Sequence, residues 1–212
     1  MSAVRVVPFG DAAVFVELEQ RVDEAIVARA RAIADAWQEE GLGPATPAYA
    51  SVLLRFDPLR VGPGEALDRA RELAAAATGA HSATLTGRVI EVPTHYDGPD
   101  LADVAERSRL TVDEVVRAHT SREYTAFFVG FMPGLAYCGT LDPRIVAPRL
   151  ASPRPRVPAG SVAIAEGQTT IYPLDSPGGW RLIGRTEVRI FDAARVPPEL
   201  IAAGDRVRFV AR

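Results

Sequence analysis

The sequence contains no lysine, and all 24 of its basic side chains are arginines. A Walker-type phosphate loop, a pyridoxal Schiff base, a lysine general base and a biotin acceptor all require lysine, so this chain alone can build none of them. Its single cysteine, Cys138, excludes an internal disulfide and a multi-cysteine metal site. The three histidines, His81, His95 and His119, form no metal-binding motif, and we expect no metal held by this chain.

The chain also lacks the features typical of nucleic-acid-binding and membrane proteins. The formal net charge is −3, which provides no basic field for nucleic acid. No apolar run is long enough to span a bilayer, and the first residues show no signal-peptide pattern. We therefore expect no nucleic acid and no membrane among its partners, and a cytoplasmic location.

The first part of the chain alternates between strand and helix patterns. Residues 12–18 and 49–56 have strand patterns, residues 23–40 have helical spacing, and Pro63 stands at an early position of a second helix. This order is typical of a ferredoxin-like α/β sandwich, in which helices cover a sheet. We predict such a domain over residues 1–82, with a structural or partner-docking role.

The remaining residues, 83–212, carry many short strand patterns separated by turn signals. Residues 161–165 and 168–172 are two residues apart, with Gly167 between them, which predicts a hairpin. Further strands are predicted over residues 84–92, 124–131, 180–185, 187–191 and 206–210. Many short antiparallel strands of this kind indicate a compact β-barrel.

A helix in this second part places His119 on its apolar face. Thr111 and Glu114 have the spacing of a capping box, and His119 follows Val115 and Val116 by four and three residues. The histidine therefore points toward the core or a pocket wall. It is either a buried, hydrogen-bonded structural residue, which spacing alone favours, or an acid/base group that lines a pocket.

A proline-rich stretch over residues 142–158 presents two arginines. Arg154 and Arg156 flank Pro155, and an extended backbone puts residues two apart on the same side. A stiff guanidinium pair suits a carboxylate or a phosphate, whereas two solvent-exposed arginines would serve solubility. Burial beside Gln168 and Trp180 would favour the anion site.

Several long motifs together resemble one protein family. They are Gly130-Phe-Met-Pro-Gly134, Ser152-Pro-Arg154, residues 157–164, Gln168-Thr169, Ser176-Pro-Gly-Gly-Trp180 and Ile183-Gly-Arg-Thr186. They resemble the family of KipI and the B-type subunit of 5-oxoprolinase, also described as allophanate hydrolase subunit 1 or as carboxyltransferase subdomains C and D. The resemblance covers essentially the whole chain. It implies a ferredoxin-like N-terminal domain and a cyclophilin-like β-barrel, an α+β protein.

The resemblance implies a subunit of a heteromeric, ATP-dependent amidohydrolase that cleaves a carbon–nitrogen bond. The reaction would be of the 5-oxoprolinase type, from 5-oxoproline to glutamate, or of the allophanate hydrolase type. The partner would be a second cyclophilin-like subunit, like the C-type subunit of 5-oxoprolinase or allophanate hydrolase subunit 2. Because this chain has no Walker lysine, ATP would be bound or consumed with that partner.

Within this hypothesis, Arg154 binds the substrate carboxylate or acyl phosphate, Gln168 contacts the amide or oxyanion, and His119 carries the proton. The predicted substrate-binding residues are Tyr124, Tyr172, Ser176, Gly178, Gly179 and Arg185. The same resemblance allows a second hypothesis, a KipI-like regulator that binds and inhibits a sensor histidine kinase. A cyclophilin-like proline isomerase is a third, which rests on fold analogy alone.

Overall fold

The computed structural model describes residues 4–21, 23–77 and 87–212, and the chain divides into two compact units, residues 1–85 and 86–212. The boundary predicted between residues 82 and 83 lies outside the described residues and stays a prediction, as do the first residues of the strand predicted over 84–92. Within the described ranges, no helix combines the length and the apolar content that a membrane crossing requires.

The first unit is a four-stranded antiparallel sheet with two helices. Its elements are β1 (Arg5–Pro8), β2 (Ala13–Glu17), α1 (Glu24–Glu39), β3 (Ala45–Pro47), β4 (Ser51–Arg55) and α2 (Pro63–Ala76). The strand order is β1-β2-β4-β3. The Asp23 side chain caps α1 by accepting a hydrogen bond from the Ala25 N–H at 2.8 Å. Both predicted helices are confirmed, and the ferredoxin-like arrangement stays a prediction.

The second unit contains most of the strands. Its elements are β5 (Val89–Thr94), α3 (Leu101–Ser108), α4 (Val112–Thr120), β6 (Glu123–Val129), β7 (Ala136–Gly139), a 3₁₀ turn (Pro143–Ile145), β8 (Arg154–Val157), β9 (Ser161–Ala165), β10 (Gln168–Ile171), β11 (Ser176–Gly178), β12 (Arg181–Arg185) and β13 (Arg206–Ala211). Seven of these strands form one sheet in the order β12-β9-β10-β7-β6-β13-β5.

The two ends of this sheet meet, so the sheet is a nearly closed barrel. His95 follows β5, Arg185 ends β12, and their backbones exchange two hydrogen bonds of 2.9 and 2.8 Å. The barrel core is apolar and includes Val92, Ile164 and Phe209. The pattern of short strands therefore predicted the barrel correctly, with one exception: β13 and β5 pair in parallel. The closer cyclophilin-like assignment stays a prediction.

Two local predictions are wrong. Residues 187–191 form no strand ladder, only an isolated bridge between Phe191 and Glu199. The tight turn predicted over residues 176–179 is mostly strand β11, which pairs with β8. The proline-rich stretch is thus fixed as one strand of a two-stranded ribbon, because its backbone finds hydrogen-bond partners about 20 residues further along the chain.

Candidate active site

A cavity of about 90 Å³ lies beside the ribbon. Aromatic rings, glycine backbone and one guanidinium line it: Phe131, Leu135, Tyr137, Arg149, Thr170, Tyr172, Pro177, Gly178, Gly179 and Trp180. Among these described lining residues, Arg149 alone carries a formal charge. The cavity is therefore small and mostly apolar, with a single cation in its lining. Arg149 Nε also lies 3.8 Å from an oxygen of the exposed Glu166 carboxylate, a weak surface pair that leaves guanidinium N–H groups for a small anionic ligand.

Hydrogen bonds to the backbone of its two neighbours hold Arg149 at the cavity. The Leu150 N–H donates to the Gly179 carbonyl at 2.8 Å, and Arg181 Nε donates to the Pro148 carbonyl at 2.9 Å. Residues on both sides of Arg149 are thereby fixed to the segment that carries Trp180. The Arg149 guanidinium carbon lies 5.9 Å from the centroid of the Trp180 ring, within cation–π range.

Tyr172 forms one wall of the cavity. Burial raises the pKa of its phenol, while the backbone N–H of Trp180 and the guanidinium groups of Arg149 and Arg154 act in the opposite direction. The phenol therefore keeps its proton at neutral pH and is available as a hydrogen-bond donor. A Cβ atom at Gly178 would lie 2.3 Å from the Tyr172 hydroxyl oxygen, so only glycine admits this hydroxyl.

The close approach at Gly178 gives a stability prediction. Gly178→Ala is expected to lower the free energy of unfolding by about 1–3 kcal/mol through overpacking, measured by urea unfolding. Tyr172→Phe in the same chain should restore only part of the loss, because the added Cβ would still lie 2.9 Å from the Cζ position and 3.0 Å from the Cε1 position of the ring. Gly179→Ala is the matched control, because its added Cβ would lie 3.7 Å from Pro153 Cβ, an ordinary contact. Equal unfolding midpoints for the two alanine variants would contradict this argument.

Aromatic residues form much of the lining of the cavity. Tyr137 stacks on Phe128 with ring centroids 4.4 Å apart, and it meets Trp180 edge to face at 5.7 Å. Phe131 stands at the cavity with 72% of its surface exposed and with a backbone φ of 69°, which is rare for a residue other than glycine. Such strain is common at binding sites, where the surrounding structure enforces it.

Arg154 begins strand β8 of the ribbon, does not line the cavity, and is held by a buried carboxylate. Its Nη2 donates to Asp100 Oδ1 at 2.7 Å, and Asp100 Oδ2 accepts the Leu182 N–H at 2.7 Å. Arg154 Nη1 is buried and has no hydrogen-bond partner among the described residues. Arg156 binds Asp175 instead, at 2.6 Å. The two guanidinium groups therefore bind separate carboxylates and do not form the predicted pair.

His119 lies inside the barrel and does not line the cavity. Its Nδ1 is 2.7 Å from the Tyr96 hydroxyl, and its Nε2 is 2.9 Å from Thr169 Oγ1. Because the Thr169 hydroxyl donates to the Ala163 carbonyl, the histidine donates through Nε2 and accepts through Nδ1. Burial lowers the pKa of His119 to about 3. This geometry matches the structural interpretation of the histidine.

The cavity brings together three of the nine predicted site residues, Tyr172, Gly178 and Gly179. Tyr124 is buried and donates to the His119 carbonyl at 2.8 Å, and Arg185 binds Asp97 at 2.8 Å on the surface. The residues outside the cavity are His119, Tyr124, Arg154, Gln168, Ser176 and Arg185. The sequence did not predict Arg149 as a site residue. No local pattern indicates which exposed arginine will contact a tryptophan far along the chain. Trp180, in contrast, belongs to a motif that carried the resemblance.

Metal binding finds no support in these side chains. Across residues 4–21, 23–77 and 87–212, no group of three or more histidine, cysteine or acidic residues is placed to hold a metal ion. Burial raises the pKa of the Cys138 thiol to about 12, so this sulfur remains protonated at neutral pH and is a poor ligand and nucleophile.

The sequence of the chain matches a known class of domain. Residues 4–201 match the sequence model of the carboxyltransferase domain, subdomain C and D, and the chain belongs to this family. Relatives named as the B-type subunit of 5-oxoprolinase include a Bacillus subtilis (strain 168) protein, 37% identical over 95% of this chain and 90% of its own length. An Escherichia coli O157:H7 relative of the same name is 51% identical over 58% of each chain.

Solved structures show the same fold, both in longer chains and in a chain of similar length. TTHA0988 superimposes with a TM-score of 0.82 at 37% identity over 99% of this chain, which spans only 40% of that longer chain. An uncharacterized protein from Pyrococcus horikoshii, PH0987, has a TM-score of 0.58 at 39% identity and is covered over 97% of its length. The Kluyveromyces lactis urea amidolyase, at 19% identity and a TM-score of 0.75, shares the fold.

Proposed function

We propose that this chain is a subunit of a 5-oxoprolinase-type amidohydrolase, which uses ATP to hydrolyse the ring amide of 5-oxoproline to glutamate. The observation that carries the proposal is the 37% identity to the Bacillus subtilis 5-oxoprolinase relative across nearly the full length of both chains. The allophanate hydrolase reaction has weaker support, because the urea amidolyase is only 19% identical.

The cavity beside the ribbon is the proposed substrate site. 5-Oxoproline is a small ring that carries a carboxylate and an amide oxygen. The Arg149 guanidinium suits the carboxylate, since arginine forms charge-assisted hydrogen bonds with carboxylates. The Trp180 and Tyr137 rings suit the flat face of the lactam. The Tyr172 hydroxyl suits the amide oxygen, because it remains a donor at neutral pH.

The cavity is too small to hold a nucleotide. Pockets for drug-sized ligands measure roughly 300–1,000 Å³, whereas this one measures about 90 Å³. Together with the absence of lysine, this size favours ATP binding on a second cyclophilin-like subunit. For the tests below, the second subunit is the polypeptide of the same organism whose sequence matches the part of TTHA0988 that this chain does not cover.

The predicted residues that do not line the cavity are not proposed to contact the substrate. Arg154 acts through its charge on Tyr172 and through the ribbon that it anchors, as a positioning residue. The geometry offers no support for direct substrate contact by His119, Tyr124, Gln168, Ser176 or Arg185. The proposed site therefore consists of Tyr137, Arg149, Tyr172, Gly178, Gly179 and Trp180.

Reconstitution tests the proposal. This chain and the second subunit, purified together, are expected to release ADP and glutamate in equal amounts when ATP and 5-oxoproline are added. Urea and allophanate serve as control substrates, and each subunit alone serves as a control protein. Turnover of allophanate without turnover of 5-oxoproline would assign the other reaction. Tight binding of a histidine kinase helical domain, with no turnover of either substrate, would favour the regulator.

Removal of the cavity's cation is expected to weaken substrate binding. Arg149→Gln should raise the KM for 5-oxoproline by about ten- to a hundredfold, as lost charge-assisted hydrogen bonds do, with a smaller change in kcat. Arg156→Gln is the control, because this arginine binds Asp175 on the surface and does not line the cavity. Steady-state kinetics of the reconstituted complex measure both. Equal KM values for the two variants would remove Arg149 from the site.

A further inference from the structure

Phe131 is a large apolar residue that lines the proposed substrate cavity and yet faces solvent. Its exposed fraction is 72%, and an exposed fraction this large includes the aromatic ring. Tyr172 and Trp180, two other aromatic residues of the lining, are only 3% and 6% exposed. This contrast places Phe131 on the solvent side of the cavity and the other two rings on its buried side.

The backbone of Phe131 adopts a conformation that favours glycine. Its φ is 69°, in the left-handed region, where the Cβ of any other residue crowds the backbone. Glycine adopts this φ without that penalty, and the same loop already holds Gly134 at a φ of 79°. The chain thus carries a bulky ring at a position where glycine would be less strained.

The loop between β6 and β7 enforces this conformation. The Gly130 N–H donates to the Leu135 carbonyl at 3.0 Å, and the Leu135 N–H donates to the Met132 carbonyl at 3.2 Å. The loop also packs closely on a side chain outside it, because a Cβ at Gly134 would lie 2.9 Å from Phe191 Cβ. Phe131 is therefore fixed at the cavity by the backbone on both of its sides.

Packing within the chain does not account for the placement of Phe131. A ring that remains mostly in solvent gains little from burial, and the left-handed φ is unfavourable in itself. Contact with a bound molecule would remove apolar ring surface from water and so offset both effects. Because the residue lines the cavity, a ligand in the cavity is the molecule that can make this contact.

We propose that Phe131 is a further substrate-contact residue, whose ring covers the solvent-facing side of a small cyclic amide in the cavity. The identity of this substrate rests on the proposed function. Arg149 and Tyr172 suit the polar groups of 5-oxoproline, whereas the two methylene groups of its ring are apolar and suit an aromatic face. The strained backbone holds the Phe131 ring in place before the substrate binds, so little further ordering is required.

Binding of 5-oxoproline to the complex of this chain with the second subunit tests the contact. Phe131→Ala is expected to weaken the affinity about tenfold, measured by isothermal titration calorimetry, because the apolar contact area is lost. Phe131→Tyr keeps the ring and should bind within about threefold of the wild type. Unchanged affinity in Phe131→Ala overturns the proposal, and so does an equal loss in both variants.

A glycine variant separates the ring from the backbone. Phe131→Gly lacks the ring, as Phe131→Ala does, but it relieves the left-handed strain. We expect it to bind 5-oxoproline no more tightly than the alanine variant. Its equilibrium constant for unfolding in urea should nevertheless be at least about twofold smaller than that of the alanine variant. A glycine variant that unfolds more readily than the alanine variant would contradict the strain and overturn the pre-positioned ring.

Affinity for the second subunit distinguishes the remaining explanations. If Phe131→Ala weakens that affinity about tenfold and leaves 5-oxoproline binding unchanged, the ring belongs to the subunit interface and the proposal is overturned. A wild-type complex that binds no 5-oxoproline contradicts the proposed function together with the contact. A wild-type complex that binds it no better than the Phe131→Ala complex contradicts the contact alone.

Discussion

Arg154→Ala is expected to lower the free energy of unfolding by about 3 kcal/mol, although the residue lies on an edge ribbon. The reason is its partner: the Asp100 side chain is only 10% exposed, and Arg154 itself is 28% exposed. Removal of one member of a buried ion pair leaves an uncompensated charge in a medium that solvates it poorly. Urea unfolding, followed by amide exchange in the barrel strands, measures the loss.

A matched control lies two residues further along the chain. Arg156 pairs with Asp175, but its side chain is 77% exposed, and exposed ion pairs contribute little to stability. Arg156→Ala should therefore unfold close to the wild-type midpoint. Asp100→Asn, combined with Arg154→Ala, removes the unpaired charge and keeps an acceptor for the Leu182 N–H, so it should recover part of the loss. Similar losses for both alanine variants would show that Asp100 is well solvated.

The expected loss of stability affects how the activity of the Arg154→Ala variant is interpreted. Reduced turnover in this variant has two possible causes, a lost substrate contact or a destabilised ribbon. The Asp100→Asn, Arg154→Ala double variant resolves the ambiguity. If stability recovers and activity does not, Arg154 contributes to the site through its charge. If both recover, its role is to anchor the ribbon.

Local features of the fold were predictable from sequence because their causes lie within a few residues. The capping box of Thr111 and Glu114 forms as expected, with the Thr111 hydroxyl oxygen accepting the Glu114 N–H at 3.2 Å. The hairpin at Gly167 forms where a residue with positive φ was required, and the φ of Gly167 is 87°. Turns and caps depend on residues within one to three positions of each other, so a single sequence reveals them.

Long-range partners were not predictable in the same way. Arg154 binds a carboxylate 54 residues earlier in the chain, and Arg149 reaches a tryptophan 31 residues later. Nothing in the composition around Arg154 or Arg156 distinguishes the arginine that will be buried from the one that will be exposed. The parallel pairing of β5 with β13 also joins segments more than a hundred residues apart.

The wrong prediction over residues 187–191 has a physical reason. The alternation of Val188 and Ile190 with Glu187 and Arg189 satisfies the pattern of a half-buried strand. The alternation of apolar and charged residues indicates which side chains prefer burial, but a strand also requires a neighbouring backbone on at least one edge. Here the backbone bends at Ile190 and pairs with another backbone segment only at residues 190–192, so no ladder forms.

The buried network around His119 makes stability depend on pH. The imidazole is fully buried, and both of its nitrogens have neutral hydroxyl partners, Tyr96 and Thr169. No charged group contacts either nitrogen among the described residues, so nothing compensates a proton added to the ring. Burial therefore lowers the pKa of His119 from its ordinary value of 6.5 to about 3.

Acidification from pH 7.5 to 5 is expected to reduce the free energy of unfolding by about 2 kcal/mol through His119 alone. Below pH 6.5 the unfolded chain takes up a proton that the folded chain binds only near pH 3, so stability falls by about 1.4 kcal/mol per pH unit in this window. His119→Gln carries no titratable group and should show a correspondingly flatter profile, although its overall stability is lower. Parallel profiles for the two proteins between pH 7.5 and 5, measured by urea unfolding, would mean that the folded barrel accepts the proton and that the histidine is reached by water.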